Sequence, residues 1–183
     1  MGTTKIYRID LKNLSPSLTY KFDYLLDNDF FESVDGPEVR KGKVDVSLVV
    51  KQVSSVFEMD FQIRGEIMVT CDRCLDDLEI SIETTNRLNV TFGEMYDETS
   101  DEQIIVSEEQ GFIDIAWYMY EFIALAIPMK HVHAFGDCNE FMATRLREFC
   151  VGMPDKDDGK EYVKSCRTVD PRWDALRHLV EDN

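Results

Sequence analysis

Cations are what this chain is short of. Its 183 residues include 20 Lys or Arg against 36 Asp or Glu, a formal charge of −16. Between Arg87 and Lys130 there is neither Lys nor Arg. Such a chain is poorly matched to wrapping a nucleic-acid backbone, because phosphate contacts need Lys and Arg to displace counterions. A basic protein partner is electrostatically easier than naked RNA, while the same charge also serves plain solubility.

Other absences close further classes. The N-terminus, Met1–Arg8, has no apolar run, so no secretory signal is expected. The longest apolar stretch, 112–129, is interrupted by Asp114 and Glu121 and closed by Pro128, too short and too charged to span a membrane. Five cysteines make an odd count without the density of a disulfide scaffold, so a reducing, cytoplasmic setting is expected. No G-x-S-x-G, phosphate-binding loop, dinucleotide fingerprint or H-E-x-x-H occurs. No catalytic residue is assigned, and a non-enzymatic role is expected.

What is present is an ordinary core, 44% hydrophobic with 11 Phe and 7 Tyr. Alternating apolar residues predict strands over 5–11, 18–25, 43–51, 56–65, 67–71 and 78–92. Acidic residues crowd 93–111 around a short Ile104–Val106 strand, a segment that reads as a solvated loop or a docking surface for a basic partner. An almost uniformly apolar helix follows over 113–127. Asp114 is its candidate N-cap, Glu121 shares its exposed edge, and Pro128 ends it. A second helix is expected over 139–149, a flexible linker over 152–159, and a short last helix around Trp173, Leu176 and Leu179. The fold class is α+β: a curved antiparallel sheet or partial barrel with one long buried helix and C-terminal helices. Residues 1–150 form the expected domain and 151–183 an extension.

The stretch 65–82 carries the most chemistry. Two alternating runs (Ile67, Val69 and Leu78, Ile80, Ile82) meet at Cys71-Asp72-Arg73-Cys74, which places both cysteines at a corner between strands. Such a corner puts two sulfurs on one side of a tight turn, as metal-binding knuckles do. His131, His133 and Cys138 follow the long helix closely enough to complete a Cys2His2 or Cys3His set, and Cys71, Cys74, His133 and Cys138 are the candidate zinc ligands. The alternative is a pair of free thiols packed at a strand corner. A redox role fits less well, because Asp72, Asp76 and Asp77 would raise the thiol pKa. Arg73, held between the cysteines and aimed outward, and Glu121 are the candidate partner contacts. Basic residues from Lys130 onward (Arg145, Arg147, Arg172) are interleaved with acidic ones and read as a mixed-charge surface.

Cys-Asp-Arg-Cys-Leu after an extended segment beginning at Gly65, then an apolar helix ending Tyr120-Glu-Phe-Ile-Ala-Leu-Ala-Ile-Pro-Met129, resembles the YceD family. These are the large ribosomal RNA subunit accumulation proteins. The resemblance spans roughly Lys41 to Glu148. It implies a non-enzymatic role in ribosome biogenesis, with a large-subunit ribosomal precursor as partner. With this charge, contact is expected mainly with basic ribosomal protein, and with ribosomal RNA only at Arg73 and the C-terminal basic positions. Many relatives carry further cysteines just after the helix-ending Pro. This chain departs from them by keeping only Cys138, so a four-thiolate site cannot form. Two other classes stand beside this reading: an acidic protein-interaction module using residues 93–111, with or without a structural zinc site, and a small metal-dependent enzyme with an open coordination position.

Overall fold

Alternation of apolar and polar side chains decides where the strands run and which face each one buries. In this computed structural model, which describes residues 7–16, 18–93, 97–100, 103–134 and 136–149, the first strand β1 (Arg8–Asp10) is followed by β2 (Thr19–Leu26) and helix α1 (Asn28–Val34). Three long strands come next, β3 (Lys41–Val53), β4 (Val56–Thr70) and β5 (Asp77–Gly93). After these come β6 (Asp97–Ser100), β7 (Gln103–Ser107), β8 (Phe112–Asp114) and helix α2 (Ala116–Leu125).

The main sheet runs β2-β3-β4-β5-β7-β6, and β1 pairs only with β8. The architecture is α+β, as the sequence implies, but the sheet departs from expectation in three ways. It is open, with β2 and β6 at its edges, so it is not a closed barrel. It is mixed, because β7 lies parallel to β5 while all other neighbours are antiparallel. The segments expected as separate strands at 56–65 and 67–71 form one continuous strand through Gly65. Strand continuity depends on that glycine, because a Cβ there would sit 2.3 Å from the Lys43 carbonyl oxygen and 2.6 Å from Val44 Cα. The acidic stretch is likewise more than a loop: β7 joins the sheet with Ile104 and Val106 buried.

One face of the sheet is apolar. Val44, Val46, Leu48 and Val50 of β3, Met59, Phe61 and Ile63 of β4, and Leu88 and Val90 of β5 are all buried. Helices α1 and α2 pack on the sheet and on each other. Asp27 starts α1 by accepting a bond from the Phe30 N–H at 3.2 Å, and the helix buries Phe30 and Phe31. The opposite sheet face is polar and carries the pairs Arg64–Glu83 at 2.6 Å and Arg87–Asp60 at 2.7 Å.

Helix α2 is shorter than the expected 113–127. Ile113 lies opposite Ile9 in the β1–β8 ladder, so its backbone is extended and the helix begins only after Ile115. Asp114 is therefore not the N-cap, a position that Ile115 takes without a side-chain bond, although its Oδ1 accepts from the Ala116 N–H at 3.1 Å. Nor is the helix buried all round. Met119, Tyr120, Phe122 and Ile123 are buried and Phe122 packs edge-on to Phe61, whereas Trp117 and Leu125 are exposed. No helix among the described residues is long and apolar enough to cross a membrane.

The chain divides into two units after Asp137. The structure describes Cys138–Phe149 of the second, where the Asn139 side chain accepts from the Phe141 N–H at 2.9 Å and opens helix α3 (Glu140–Phe149). This matches the helix expected over 139–149. The expected linker at 152–159, the boundary at 150/151 and the helix around Trp173 lie outside the described residues.

Tyr120 ties α2 to the start of β3. Its hydroxyl oxygen accepts from the Glu38 N–H at 2.9 Å and the Val39 N–H at 3.2 Å, and its ring lies where a Cβ on Gly36 would be, 1.9 Å away. Tyr120→Phe leaves the buried Val39 N–H without its acceptor. The expected loss is about 1–3 kcal/mol of unfolding free energy, read as a lower urea midpoint with an unchanged slope.

Candidate metal centre

The β4–β5 ladder ends at Thr70 opposite Asp77, leaving six residues to turn the corner. Two backbone bonds close that corner. The Cys71 N–H donates to the Asp76 carbonyl at 2.9 Å, and the Leu75 N–H donates to the Cys71 carbonyl at 3.0 Å. Within it the Arg73 N–H points at Cys71 Sγ, 3.4 Å away. Both cysteines are buried and neither forms a disulfide. Leu75 completes the turn in a left-handed conformation, φ 65°, with its side chain 65% exposed.

The segment after α2 folds onto this corner, and Asp72 holds it there. Its carboxylate accepts from the His131 N–H at 2.9 Å and approaches His131 Nε2 at 3.3 Å, while the Asp72 N–H donates to the His131 carbonyl at 3.0 Å. His131 Nδ1 faces the Pro128 carbonyl at 3.1 Å, so this histidine is used up in positioning. His133 is the one that meets the sulfurs, with Nδ1 3.3 Å from Cys74 Sγ. Its Nε2 lies 3.2 Å from the Asp77 carbonyl oxygen. A carbonyl only accepts, so Nε2 carries a proton, and in the neutral ring the lone pair is on Nδ1, the nitrogen that faces Cys74. Metal-bound histidines are commonly oriented in this way by an outer carbonyl.

Cys71, Cys74, His133 and Cys138 each offer one ligand atom, and the four atoms lie within 4.8 Å of one another. They are close enough to hold one metal ion. Three sulfurs and an imidazole form a borderline-soft donor set that suits zinc better than oxygen-seeking Mg2+ or Ca2+.

The thiol electrostatics differ from expectation. Burial pushes the Cys71 thiol up. Backbone N–H donors at Cys74, His133 and Arg73, with the Cys74 side chain, outweigh burial and bring Cys71 down to about 6. The carboxylates Asp72, Asp76 and Asp77 are all exposed, where water screens them, so short N–H contacts decide the sign. His133 is shifted upward, first by its bond to Cys71, against the opposing effect of burial, with Cys74 and the Asp77 carbonyl adding to the rise.

Of the two candidate partner contacts, Arg73 is half-buried rather than fully projecting, and no ion pair forms at it among the described residues. Glu121 is exposed on α2. Sequence spacing leaves His131 and His133 equivalent. What separates them is Asp72, a residue to which the motif itself assigns no role.

These features define a class: an α+β protein with an open mixed sheet whose longest hairpin ends in a buried Cys-x-x-Cys corner faced by histidine. The chain belongs to the family described as large ribosomal RNA subunit accumulation protein YceD, whose model matches residues 59–180, about two-thirds of the chain. The match starts later than Lys41 and runs well past Glu148, so most of the C-terminal extension falls inside it rather than outside. No curated protein and no solved structure matches the chain significantly.

Leu75 supplies a stability test. A left-handed non-glycine residue costs about 1–2 kcal/mol, and glycine's extra freedom in the unfolded chain gives back about 0.5–1. Leu75→Gly is expected to raise stability by up to about 1 kcal/mol, seen as a melting temperature a few degrees higher. A lower melting temperature would mean that the exposed leucine packs against something that its geometry does not suggest.

Proposed function

We propose that this protein is a non-enzymatic, cytoplasmic factor in ribosome biogenesis. It supports the accumulation or processing of large-subunit ribosomal RNA by contacting a ribosomal precursor. The family match over residues 59–180 carries this reading, because the matched stretch contains both the cysteine corner and the segment that closes on it. The charge of −16 directs the contact mainly to basic ribosomal protein, with ribosomal RNA touched at Arg73 and at cationic positions from Lys130 onward.

Zinc is the metal we assign to Cys71, Cys74, His133 and Cys138. A full set of four protein ligands leaves no position for substrate, so its role is structural: it fastens the β4–β5 corner to the chain after α2. The metal-dependent enzyme reading loses its main requirement, an open position.

Two measurements test these assignments. Protein purified without chelator is expected to carry about one zinc per chain. Cys74→Ser should abolish zinc retention, whereas His131→Ala should keep the metal, since His131 positions the segment without facing the sulfurs. Equal loss in both variants would overturn the ligand assignment.

The second measurement is capture of the tagged full-length chain from its own cells, with and without ribonuclease. Large-subunit precursor proteins that survive ribonuclease support protein-mediated contact. Recovery lost on digestion would keep the biogenesis role and reverse the electrostatic argument, and absence of ribosomal material in both conditions would remove the role.

A further inference from the structure

We infer that the outer stripe of α2, formed by Trp117, Glu121 and Leu125, with the exposed Met129 four residues past its end, is the docking face for a basic amphipathic helix of the partner protein. The inference rests on the protein-partner reading above and deepens it. An ordinary surface helix turns polar residues to water, and α2 does not. Its buried residues, Met119, Tyr120, Phe122 and Ile123, occupy one side. At about 100° per residue, Trp117, Glu121 and Leu125 fall on the opposite side within about 80° of arc and about 12 Å of length. Trp117 is 49% exposed, Leu125 79% and Met129 103%. Large apolar side chains clustered on one exposed face, with a tryptophan among them, mark an interaction surface.

Trp117 is held in place before any partner arrives. It stacks on Tyr120 at 5.5 Å with 29° between the rings, and Tyr120 is anchored in turn by the Glu38 and Val39 N–H groups. A fixed aromatic anchor loses little freedom on binding.

Charge selects the occupant. Glu121 sits one turn from each apolar anchor, Asp35 and Glu38 are exposed in the connection that Tyr120 grips, and the nearest cations along the chain are Arg40, Lys41 and Lys130, with Arg8 paired to Asp114 just before the helix. The whole span 88–129 carries no Lys or Arg. Phosphate is repelled by such a face. A second copy, docked symmetrically, would bring Glu121 toward Glu121 between two acidic chains. A helix presenting apolar residues one turn either side of Lys or Arg satisfies both the anchors and the carboxylate.

The test uses the full-length chain in its own cells, with a photo-crosslinking residue at position 125 or 129, and at 43 or 83 on the polar sheet face as controls. The expected result is a cross-link from 125 or 129 to a ribosomal protein, mapped to a Lys/Arg-rich segment with apolar residues at helical spacing. Glu121→Lys should lower its yield at least about tenfold, with an unchanged circular dichroism spectrum. Cross-links to ribosomal protein only from 43 or 83 would overturn the docking face and leave the proposed function standing. A cross-link from 125 to RNA, to a second copy or within the same chain would overturn the occupant. No ribosomal protein at any position would overturn this inference together with the protein-partner reading.

Discussion

Every residue of β4 from Val56 to Thr70 faces β5 in one unbroken antiparallel register, Val56 opposite Thr91 at one end and Thr70 opposite Asp77 at the other. A slip of one residue would turn Phe61, Ile63 and Ile67 out to water and Gln62, Arg64 and Glu66 into the core. The apolar face therefore locks the register, and the register decides where the ladder runs out. It runs out at Cys71, so the thiols stand at the end of the longest hairpin. Asp77, the first residue of β5, keeps its carbonyl turned toward the chain that arrives after α2. Gly65 makes the continuity possible by letting β3 and β4 approach where no side chain fits.

Two small polar devices convert this frame into sites. Asp72 clasps His131 from backbone and side chain together, bringing His133 Nδ1 to Cys74. Tyr120 does comparable work in the middle of α2, spending its hydroxyl on two backbone N–H groups and lending its ring to Trp117. In both places one polar side chain, the exposed Asp72 or the buried Tyr120, fixes a neighbour.

The acidity of the chain acquires direction from the fold. On the polar sheet face, carboxylates alternate with Arg64 and Arg87 and are partly neutralised in pairs. Along α2, Glu121 makes no ion pair among the described residues and stands between the exposed Trp117 and Leu125. Around the cysteines, short N–H contacts keep Cys71 inclined to its thiolate form despite three nearby acidic side chains. The proposed zinc and the proposed basic partner thus draw on different parts of one charge distribution.

Much of this was legible in the residues themselves. Period-two alternation marked the long strands, because one face had to be buried and the other wetted. The C-x-x-C between two such runs located the corner, and its resemblance to the family motif, rather than the chemistry of any residue, pointed to ribosome biogenesis. Other features were not legible. Nothing in 113–115 distinguishes an apolar helix from an apolar strand until β1 is there to pair with Ile113. Likewise nothing in 103–107 tells that β7 will run parallel to β5. The sequence points to His133 as a ligand, but the reason that His131 is excluded, the clasp of Asp72, depends on a partner distant in the chain, as does the exposure of Trp117 beside the edge expected at Glu121. Local pattern determined which residues sit in strands and where the thiols stand. Tertiary contact alone decided which histidine meets them and which apolar side chains remain uncovered, because both outcomes are set by groups that hydrophobic periodicity does not encode.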